Sequence, residues 1–309
     1  MTHSLKARLI ANPVSGTDRA PEELVAINER LRPALGELDI VLTTAKGDAA
    51  QAAEQAVRAG YDHLFVAGGD GTLNEVVNGV AAVAGGLARV TFGLLPLGTG
   101  NDFAQALGVS EDLADAVEIV AEGAVSAVDV GMLNDRRFVN VSAGGFVAEV
   151  SDAVDPGLKS VAGKLAYLIG GAGALLDHEP IPFTVTVDDA PPFEVTASLF
   201  AVCNSRLVGG GRLIAPYALV DDGELDLCIV EGMRTLDLVA LLTKVSAGDH
   251  VGDDRVRYLR GRRIEIRSET PFKVNTDGEV IETMVCKYSV APRAATFFAR
   301  DVPFSNAAE

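Results

Sequence analysis

The chain has 309 residues, of which 48% are hydrophobic and 22% are charged, and its net charge at pH 7 is −17. This length favours two domains over a single core, and the apolar content excludes a disordered chain. The negative charge argues against a nucleic-acid-binding protein and makes anionic membrane surfaces repulsive on average. Three separated cysteines and four scattered histidines disfavour a zinc site or a disulfide framework and fit a reducing cytosol.

Neither a signal peptide nor a membrane-spanning helix is predicted. Pro13 interrupts the apolar N-terminal stretch, and the longest apolar run, residues 161–176, is shorter than a bilayer span and contains Lys164. We therefore expect a soluble, cytoplasmic protein. Transient peripheral contact with the inner face of the membrane would require a local basic or apolar patch.

Residues 1–125 alternate between strand and helix patterns. Strands are predicted at residues 6–11, 39–44, 63–67 and 91–96, and helices at residues 21–35, 48–58, 72–80 and 112–122. This alternation predicts an α/β domain with a doubly wound, mostly parallel sheet. Such sheets bind ligands at the carboxyl ends of their strands, where this sequence has polar or glycine-rich loops at residues 12–16, 43–44, 68–72 and 98–102.

The loop at residues 68–72 lies between an apolar strand and a helix. Thr72 and Glu75 have the spacing of a capping box, which places the helix start near Thr72. A glycine turn at a helix N-terminus binds anions through backbone N–H groups and the helix dipole. Asp70 would repel a phosphate there unless a cation lay between them, so the loop predicts a nucleotide bound with Mg2+. The alternative is a tight turn with a helix-capping aspartate and no ligand.

Two commoner nucleotide-binding motifs are absent from the sequence. There is no G-x-x-x-x-G-K-[ST], since Gly163-Lys164 is followed by Leu165, and no G-x-G-x-x-G follows a predicted strand. A P-loop ATPase and a Rossmann dehydrogenase are therefore both disfavoured.

Residues 126–291 have a pattern typical of an antiparallel β-sandwich. Short β-branched segments predict strands at residues 127–132, 138–142, 183–187, 195–203, 225–230, 262–267 and 272–275. Helical insertions are predicted at residues 158–176 and 236–247. The apolar stripe of the first insertion fits core packing, and the alternative is a wall for a lipid tail.

Five short motifs follow one another along the chain. They are Asn12-Pro13-x-Ser15-Gly16, Lys46-Gly47-Asp48-Ala49, Gly68-Gly69-Asp70-Gly71-Thr72-Leu73-Asn74-Glu75, Gly98-Thr99-Gly100-Asn101-Asp102-Phe103 and Asp277-Gly278-Glu279. Their order and spacing resemble the diacylglycerol kinase catalytic family, in particular its soluble bacterial lipid kinases, over essentially the whole chain. GGDGT alone also occurs in NAD kinases and phosphofructokinases, but GGDGTLNEV followed by GTGNDFA and a late DGE is specific.

The resemblance implies a nucleotide cleft in residues 1–125, to which the tail at residues 292–309 returns, and a lipid-substrate domain at residues 126–291. The residues implied in nucleotide binding are Asn12, Pro13, Ser15, Gly16, Thr43, Gly68, Gly69, Asp70, Gly71, Thr72, Leu73, Asn74, Thr99 and Asn101. Glu279 corresponds to the family's general base for the lipid hydroxyl, and Asp70 and Asp102 would organise the catalytic Mg2+ and the base. From the residues alone, a place in a hairpin turn is the favoured explanation of Glu279, because Asp277-Gly278 is a hairpin signal, and the resemblance reverses this preference.

The resemblance also implies a second, structural Mg2+ in the loop at residues 219–225. Its ligands would be the carbonyl oxygens of Leu219 and Glu224 and the carboxylate of Asp222. A plain Asp-Gly turn is the alternative. Residues 255–267 contain six arginines, which indicates either a solvated face or a patch for anionic lipid headgroups.

We therefore interpret the chain as an ATP- and Mg2+-dependent kinase for a membrane-derived lipid, with diacylglycerol as the expected substrate and phosphatidic acid as the product. The alternatives are a kinase for phosphatidylglycerol or a sphingoid lipid, an NAD kinase-like phosphotransferase, and a nucleotide- or lipid-binding regulator without turnover. ATP is the expected cosubstrate, and nucleic acid is not an expected partner. Family members are often dimers, so the resemblance leaves a homodimer open.

Overall fold

The computed structural model describes residues 6–15, 20–35, 38–146, 148, 179–233, 235–300, 302 and 303. Gly16 and the helix predicted at residues 158–176 lie outside these described residues. The chain divides into two compact units: the first comprises Met1–Val130 and Pro292–Glu309, and the second comprises Gly131–Ala291. None of the described helices is long and apolar enough to cross a membrane.

Strands and helices alternate along the first unit. In chain order they are β1 (Ala7–Ala11), α1 (Ala20–Leu35), β2 (Leu38–Leu42), α2 (Asp48–Arg58), β3 (His63–Gly68), α3 (Asp70–Ala81), β4 (Thr91–Pro96), α4 (Asp102–Ala106) and α5 (Leu113–Glu122), with a 3-10 turn at Leu87–Arg89. The four strands are parallel, in the order β2-β1-β3-β4. Helix α1 packs on α5, and α2 packs on α3. The four predicted strands and four predicted helices are confirmed, and α4 is an additional helix.

The boundaries of these elements have local causes. The Asp112 carboxylate accepts the N–H of Ala114 at 2.7 Å and caps the start of α5, and Gly123 ends that helix in the left-handed conformation. Residues 64–67 of β3 are all buried, as expected for a central strand of a parallel sheet. The apolar run that the sequence shows in β3 therefore forms part of the buried core of the sheet.

The last strand, β15 (Glu279–Phe298), brings the chain back into the first unit. Thr296 and Phe297 pair in parallel with Thr91 and Phe92 of β4. Phe297 is fully buried, stacks on Phe92 with a centroid distance of 4.9 Å, and meets Phe103 edge-on at 5.3 Å. Aromatic pairs at such distances contribute about 1 kcal/mol each beyond burial, so the end of β15 is part of this core.

Antiparallel strands build the second unit. In chain order the elements are β5 (Val125–Leu133), which enters from the first unit, β6 (Arg136–Phe138), β7 (Val141–Gly145), β8 (Ile181–Val187), β9 (Phe193–Cys203), β10 (Leu207–Val208), β11 (Arg212–Leu213), β12 (Leu225–Glu231), α6 (Thr235–Lys244), β13 (Val256–Gly261), β14 (Arg263–Thr276) and β15, with 3-10 turns at Val245–Ala247 and Asp249–Gly252. Strand β12 pairs with β13 and β9, and β14 pairs with β15. Phe183, Phe200 and Phe272 meet edge-to-face in the core with centroids 5.0 to 6.0 Å apart.

Strands β7 and β8 occupy one line of the sheet, end to end. On β9, Gly145 of β7 pairs with Leu199 and Ile181 of β8 pairs with Ala197. On the opposite side, both strands pair with β14. The pairing positions of β7 and β8 on β9 are therefore separated by Ser198 alone.

The single strand predicted at residues 138–142 is wrong. Strand β6 ends at Phe138, and β7 begins at Val141. The cause is Asp277, whose carboxylate accepts the N–H groups of Val139, Asn140 and Val141 at 2.9, 3.3 and 2.9 Å. These three N–H groups therefore bond to a side chain, and the continuous strand predicted over residues 138–142 is interrupted here.

Two further strand predictions need correction. The strands predicted at residues 262–267 and 272–275 are one strand, β14, with a bulge between Arg267 and Phe272. Strand β13 is not predicted, because its two arginines, Arg257 and Arg260, belong to the arginine-rich run at residues 255–267. In the structure all six of its residues pair with β12.

Candidate functional site

Four loops of the first unit begin at the same edge of its sheet, after the carboxyl ends of β1 to β4. Asn12 N–H donates to Ala67 O at 2.9 Å, and Leu97 N–H donates to Gly68 O at 3.1 Å; the loop after β2 is joined to the end of β1 in the same way. These bonds continue the strand pairing into the loops. The structure thus gathers the predicted nucleotide-binding residues that it describes: Asn12, Pro13, Ser15, Thr43, Gly68, Gly69, Asp70, Gly71, Thr72, Leu73, Asn74, Thr99 and Asn101.

The loops after β3 and β4 touch through their backbones because both carry glycine. A Cβ on Gly98 would lie 2.5 Å from the Cα of Gly69, and a Cβ on Gly69 would lie 3.2 Å from the Cα of Gly98. The first distance is shorter than real Cβ contacts allow, so any larger residue at position 98 must push the loops apart.

Asp70 joins the same two loops through its carboxylate. Its Oδ2 accepts the N–H of Asp102 at 3.1 Å, and its Oδ1 accepts the N–H of Phe103 at 3.0 Å. Both donors lie in the first turn of α4, where N–H groups have no partner within the helix. The carboxylate of Asp70 therefore caps α4, so its place in this loop does not by itself require a cation. A role for Asp70 in organising Mg2+ stays a prediction.

Helix α3 begins at Asp70, two residues earlier than predicted, and the predicted capping box is wrong. The Thr72 hydroxyl accepts a long hydrogen bond of 3.5 Å from Asn12 Nδ2, and Glu75 Oε2 accepts the N–H of Gly47 at 3.0 Å. Both side chains therefore tie α3 to the loops after β1 and β2, and not to its own first turn.

The loop after β2 is fixed by Asp48, the first residue of α2. Its Oδ2 accepts the N–H and the hydroxyl of Thr44 at 2.7 and 2.8 Å and the N–H of Ala45 at 2.8 Å. The backbone hydrogen bond from Thr44 is the largest of the contributions that lower the pKa of Asp48 below its ordinary value. Within the Lys46-Gly47-Asp48-Ala49 motif, Asp48 therefore shapes the loop.

Only part of the predicted set is open to a ligand. Gly71 and Thr99 are exposed, whereas Thr72, Asn74 and Asn101 are buried. The cavity beneath the loop after β3 has a volume of about 20 Å3, which holds about one water molecule. A nucleotide would therefore lie on the solvent side of the loop, at the N-terminus of α3, where the helix dipole and N–H groups favour anions.

Asn101 stabilises the loop after β4 from within. Its Oδ1 accepts the N–H of Gly98 at 3.0 Å, and its Nδ2 donates to the Gly98 carbonyl at 2.9 Å. Its backbone is left-handed, with φ of 51°, a conformation that asparagine tolerates better than most residues. Asn101 thus holds Gly98 against Gly69.

In the second unit, Glu279 follows the two-residue turn between β14 and β15. Asp277 and Gly278 have φ of 45° and 95°, and the flanking Thr276 and Glu279 pair across the hairpin. Two consecutive positive φ angles are the mark of a tight hairpin turn, so the hairpin predicted from Asp-Gly is confirmed. The Glu279 side chain is 19% exposed and forms an ion pair with Arg136 of β6.

A buried polar cluster holds the backbone that this hairpin contacts. Asn204 Nδ2 donates to the carbonyl of Val139 at 2.9 Å, and Ser205 Oγ bonds Asn140 Oδ1. Asn204 and Ser205 are fully buried. Neither residue is predicted from the sequence, although a polar pair that follows a buried apolar strand is a signal that could have indicated them.

In the structure, an arginine of β13 contacts the loop predicted to hold a structural Mg2+. Asp222 Oδ1 accepts the N–H of Glu224 at 3.0 Å, and its Oδ2 is paired with Arg260 of β13. Burial raises the pKa of Asp222 above its ordinary value. Within the described ranges, no three His, Cys, Asp or Glu side chains are grouped to hold a metal ion. The ligand set of Leu219, Asp222 and Glu224 stays a prediction, and its one carboxylate is already engaged.

Most of the predicted basic patch is paired with nearby carboxylates. The ion pairs are Arg255–Asp253, Arg257–Glu231, Arg260–Asp222, Arg263–Asp189 and Arg267–Glu265. Exposed pairs contribute little to stability, but they offset the local positive charge. This favours a solvated face over a patch for lipid headgroups.

Two family models match the chain. The model of the diacylglycerol kinase catalytic domain matches residues 6–133, and that of the YegS C-terminal NAD kinase beta sandwich-like domain matches residues 140–299. Two curated relatives, both named diacylglycerol kinase, are similar over most of their length. The one from Staphylococcus saprophyticus subsp. saprophyticus is 35% identical over 89% of this chain and 88% of its own length. The one from Bacillus subtilis (strain 168) is 34% identical over 89% of each chain.

Solved structures give the same result for the fold. The crystal structure of a diacylglycerol kinase from Bacillus anthracis str. Sterne has a TM-score of 0.74 and 26% identity, with 97% of this chain and 98% of that chain covered. An NAD kinase from Archaeoglobus fulgidus in complex with ATP has a TM-score of 0.54 and 13% identity, with 96% and 95% covered, which concerns the fold alone. The architecture has two domains, and the second is β-sandwich-like.

Proposed function

The chain belongs to the diacylglycerol kinase catalytic-domain family and is a lipid kinase; we propose that it transfers the γ-phosphate of ATP to a diacylglycerol hydroxyl, with Mg2+. The product would be phosphatidic acid. The observation that carries this proposal is the identity of 34% to 37%, over 89% of the chain, with bacterial proteins named diacylglycerol kinase.

The loops of the first unit would hold the nucleotide. Its phosphates would lie over the exposed Gly71, at the N-terminus of α3, with the exposed Thr99 beside them. Contact between Gly69 and Gly98 supports this assignment, because it fixes both loops before any ligand binds. Preorganised N–H groups at a helix N-terminus stabilise phosphate charge without a reorganisation cost.

Two carboxylates at this edge fit a cation bound together with phosphates. The carboxylate of Asp70 accepts the N–H of Asp102, so the two residues are neighbours. Each carboxylate oxygen of Asp70 keeps a second lone pair beside its hydrogen bond. Mg2+ bound with substrate phosphates needs only one or two carboxylates, and it would neutralise the charge that develops in phosphoryl transfer.

Glu279 would take the proton from the lipid hydroxyl. The Asp277–Gly278 turn fixes where its strand begins, and Arg136 holds its carboxylate. A neighbouring guanidinium stabilises the negative charge that a general base carries before it accepts a proton. Arg136 is therefore a positioning residue in this proposal.

The test is ATP-dependent phosphate transfer by the full-length protein, measured in parallel on diacylglycerol, phosphatidylglycerol, sphingosine and NAD. Diacylglycerol should have the highest kcat/KM, and EDTA should abolish transfer. Glu279→Gln should lower kcat about 100-fold or more and leave ATP binding near wild type. Glu282→Gln, an exposed glutamate on the same strand, is the matched control. Turnover of NAD alone would overturn the substrate proposal, and full activity of Glu279→Gln would remove its assignment as the base.

A further inference from the structure

The guanidinium of Arg260 lies among three carboxylates of the second unit. It is paired with Asp222, and it lies 3.4 Å from Glu224 Oε2 and 3.5 Å from Asp226 Oδ1. Arg260 of β13 and Asp226 of β12 are direct partners in the strand register. The pairing of two strands therefore places the cation in this cluster.

Two of these three carboxylates are buried. Asp226 is 1% exposed, and the side chain of Asp222 is 9% exposed. The Tyr258 hydroxyl of β13 acts on Asp226 as a neutral donor, but neither Asp226 oxygen has a hydrogen-bond partner of ordinary geometry within the part of the chain that the structure describes. A carboxylate buried without a nearby cation or donor carries a large desolvation cost. The cluster therefore needs a positive charge, and Arg260 supplies it.

The family resemblance places a structural Mg2+ in the same loop, with Asp222 as its one carboxylate ligand. Both oxygens of Asp222 already accept hydrogen bonds within the chain, one from the Glu224 N–H and the other from Arg260. Mg2+ requires near-octahedral geometry and releases its water molecules reluctantly. A guanidinium that the strand register delivers to Asp222 competes directly with such an ion.

We propose that Arg260 is the resident cation of this loop, and that a divalent cation and the Arg260 guanidinium are alternative partners of Asp222. The wild-type loop then keeps its structure in the absence of metal. Removal of the guanidinium opens the carboxylates to a divalent ion. The proposal concerns the free protein and does not depend on ATP, on the lipid or on turnover.

The test is thermal unfolding of the full-length protein without nucleotide or lipid, in EDTA and in millimolar MgCl2 at matched ionic strength. The wild type should have the same Tm in both buffers to within about 1 °C, because no ion binds to the folded loop. Arg260→Gln should lower Tm by roughly 5 °C in EDTA, and MgCl2 should restore most of the loss. Arg263→Gln is the matched control, because Arg263 pairs only with the exposed Asp189 among the ion pairs described. It should change Tm little in either buffer.

Mn2+ titration provides a second measurement that does not depend on the unfolding transition. Calorimetry should detect one more bound Mn2+ in Arg260→Gln than in the wild type, and Arg260→Gln with Asp222→Asn should lose that additional site. Arg260→Lys, which keeps the charge but cannot reach several carboxylates with a planar fork, should show an intermediate response if Arg260→Gln does not fold. An equal Tm loss of the wild type in EDTA would overturn the proposal, since the loop would then need metal despite Arg260. Arg260→Gln without any response to Mg2+ or Mn2+ would also overturn it.

Discussion

Replacement of Asp277 by alanine should destabilise the hairpin that carries Glu279. The Asp277 carboxylate accepts three N–H groups, from Val139, Asn140 and Val141, at 2.9 to 3.3 Å. These three residues are between 2% and 6% exposed. Their N–H groups would therefore lose an acceptor in a place that water reaches poorly.

The expected loss in the free energy of unfolding is about 3 to 5 kcal/mol. A hydrogen bond to a charged acceptor contributes about 1.5 to 3 kcal/mol. Because the three bonds share one carboxylate, their total is smaller than the sum of three independent contributions. Alanine at φ of 45° adds a further cost of about 1 kcal/mol, because it lacks the polar side chain whose local hydrogen bonds let aspartate and asparagine tolerate the left-handed region. Asp277→Asn keeps an acceptor oxygen and tolerates this φ, so its expected loss is about 1 to 2 kcal/mol.

Urea unfolding and amide hydrogen exchange at residues 139–141 measure this effect. Hydrogen exchange is the sharper readout, because a chain with two units need not unfold in one transition. In the kinase assay, kcat should fall while KM for ATP stays near wild type, since Asp277 belongs to the second unit and the nucleotide loops belong to the first.

Asp189→Asn is the matched control for Asp277→Ala. Asp189 also lies in a turn between two strands, but its side chain is 94% exposed and pairs only with the exposed Arg263 among the ion pairs described. Its expected change in stability is below about 0.5 kcal/mol. Wild-type exchange rates at residues 139–141 in Asp277→Ala, together with an unchanged urea midpoint, would refute the reasoning.

Three further changes test the first unit. Asp70→Asn keeps an acceptor for the α4 N–H groups, so it should cost about 1 kcal/mol of stability, measured in urea, while kcat falls at least about 100-fold. Gly98→Ala should cost about 1 to 3 kcal/mol and weaken ATP binding, measured by calorimetry, because the loops after β3 and β4 must separate. His63→Phe should flatten the loss of stability on acidification below about pH 6.5, measured by urea unfolding across pH. Burial lowers the pKa of His63, so the unfolded chain binds the proton more readily and acid favours unfolding.

For each of these three predictions, one result would contradict the reasoning. Wild-type kcat in Asp70→Asn would leave Asp70 with only its capping role. Gly252→Ala, where a Cβ meets nothing within 4 Å, should be neutral in stability, and an equal loss in this control would remove the steric explanation for Gly98. An unchanged pH slope in His63→Phe would show that His63 does not limit acid stability.

Local signals predicted much of the first unit. The bounds of α2 and β4 agree with the prediction, because Gly47 precedes α2 in a left-handed conformation and the apolar run of β4 ends at Pro96. The Asp112 cap and Gly123 fix α5 in the same way. In each case the residues that set the boundary lie within a few positions of it, so sequence patterns contain the information.

The features that the sequence does not predict involve hydrogen-bond partners that lie far apart in the sequence. Glu75 has the spacing of a capping box, but Gly47, 28 residues earlier, provides the N–H that it accepts. The carboxylate of Asp70 is used by N–H groups that come 32 and 33 residues later, so the sequence alone suggested a cation in their place. Asp277 divides a predicted strand from a distance of 136 to 138 residues. None of these partners is visible as a local pattern.

The return of β15 to the first unit has a consequence for how the protein is made. A ribosome delivers β4 roughly 200 residues before Thr296 and Phe297, and until then the strand lacks its last neighbour. Phe92 and Phe103 meanwhile lack the ring of Phe297, which later stacks on Phe92 and meets Phe103 edge-on. The sheet of the first unit therefore stays unfinished until β15 has been synthesised, and a nascent chain exposes this apolar edge of β4 until then.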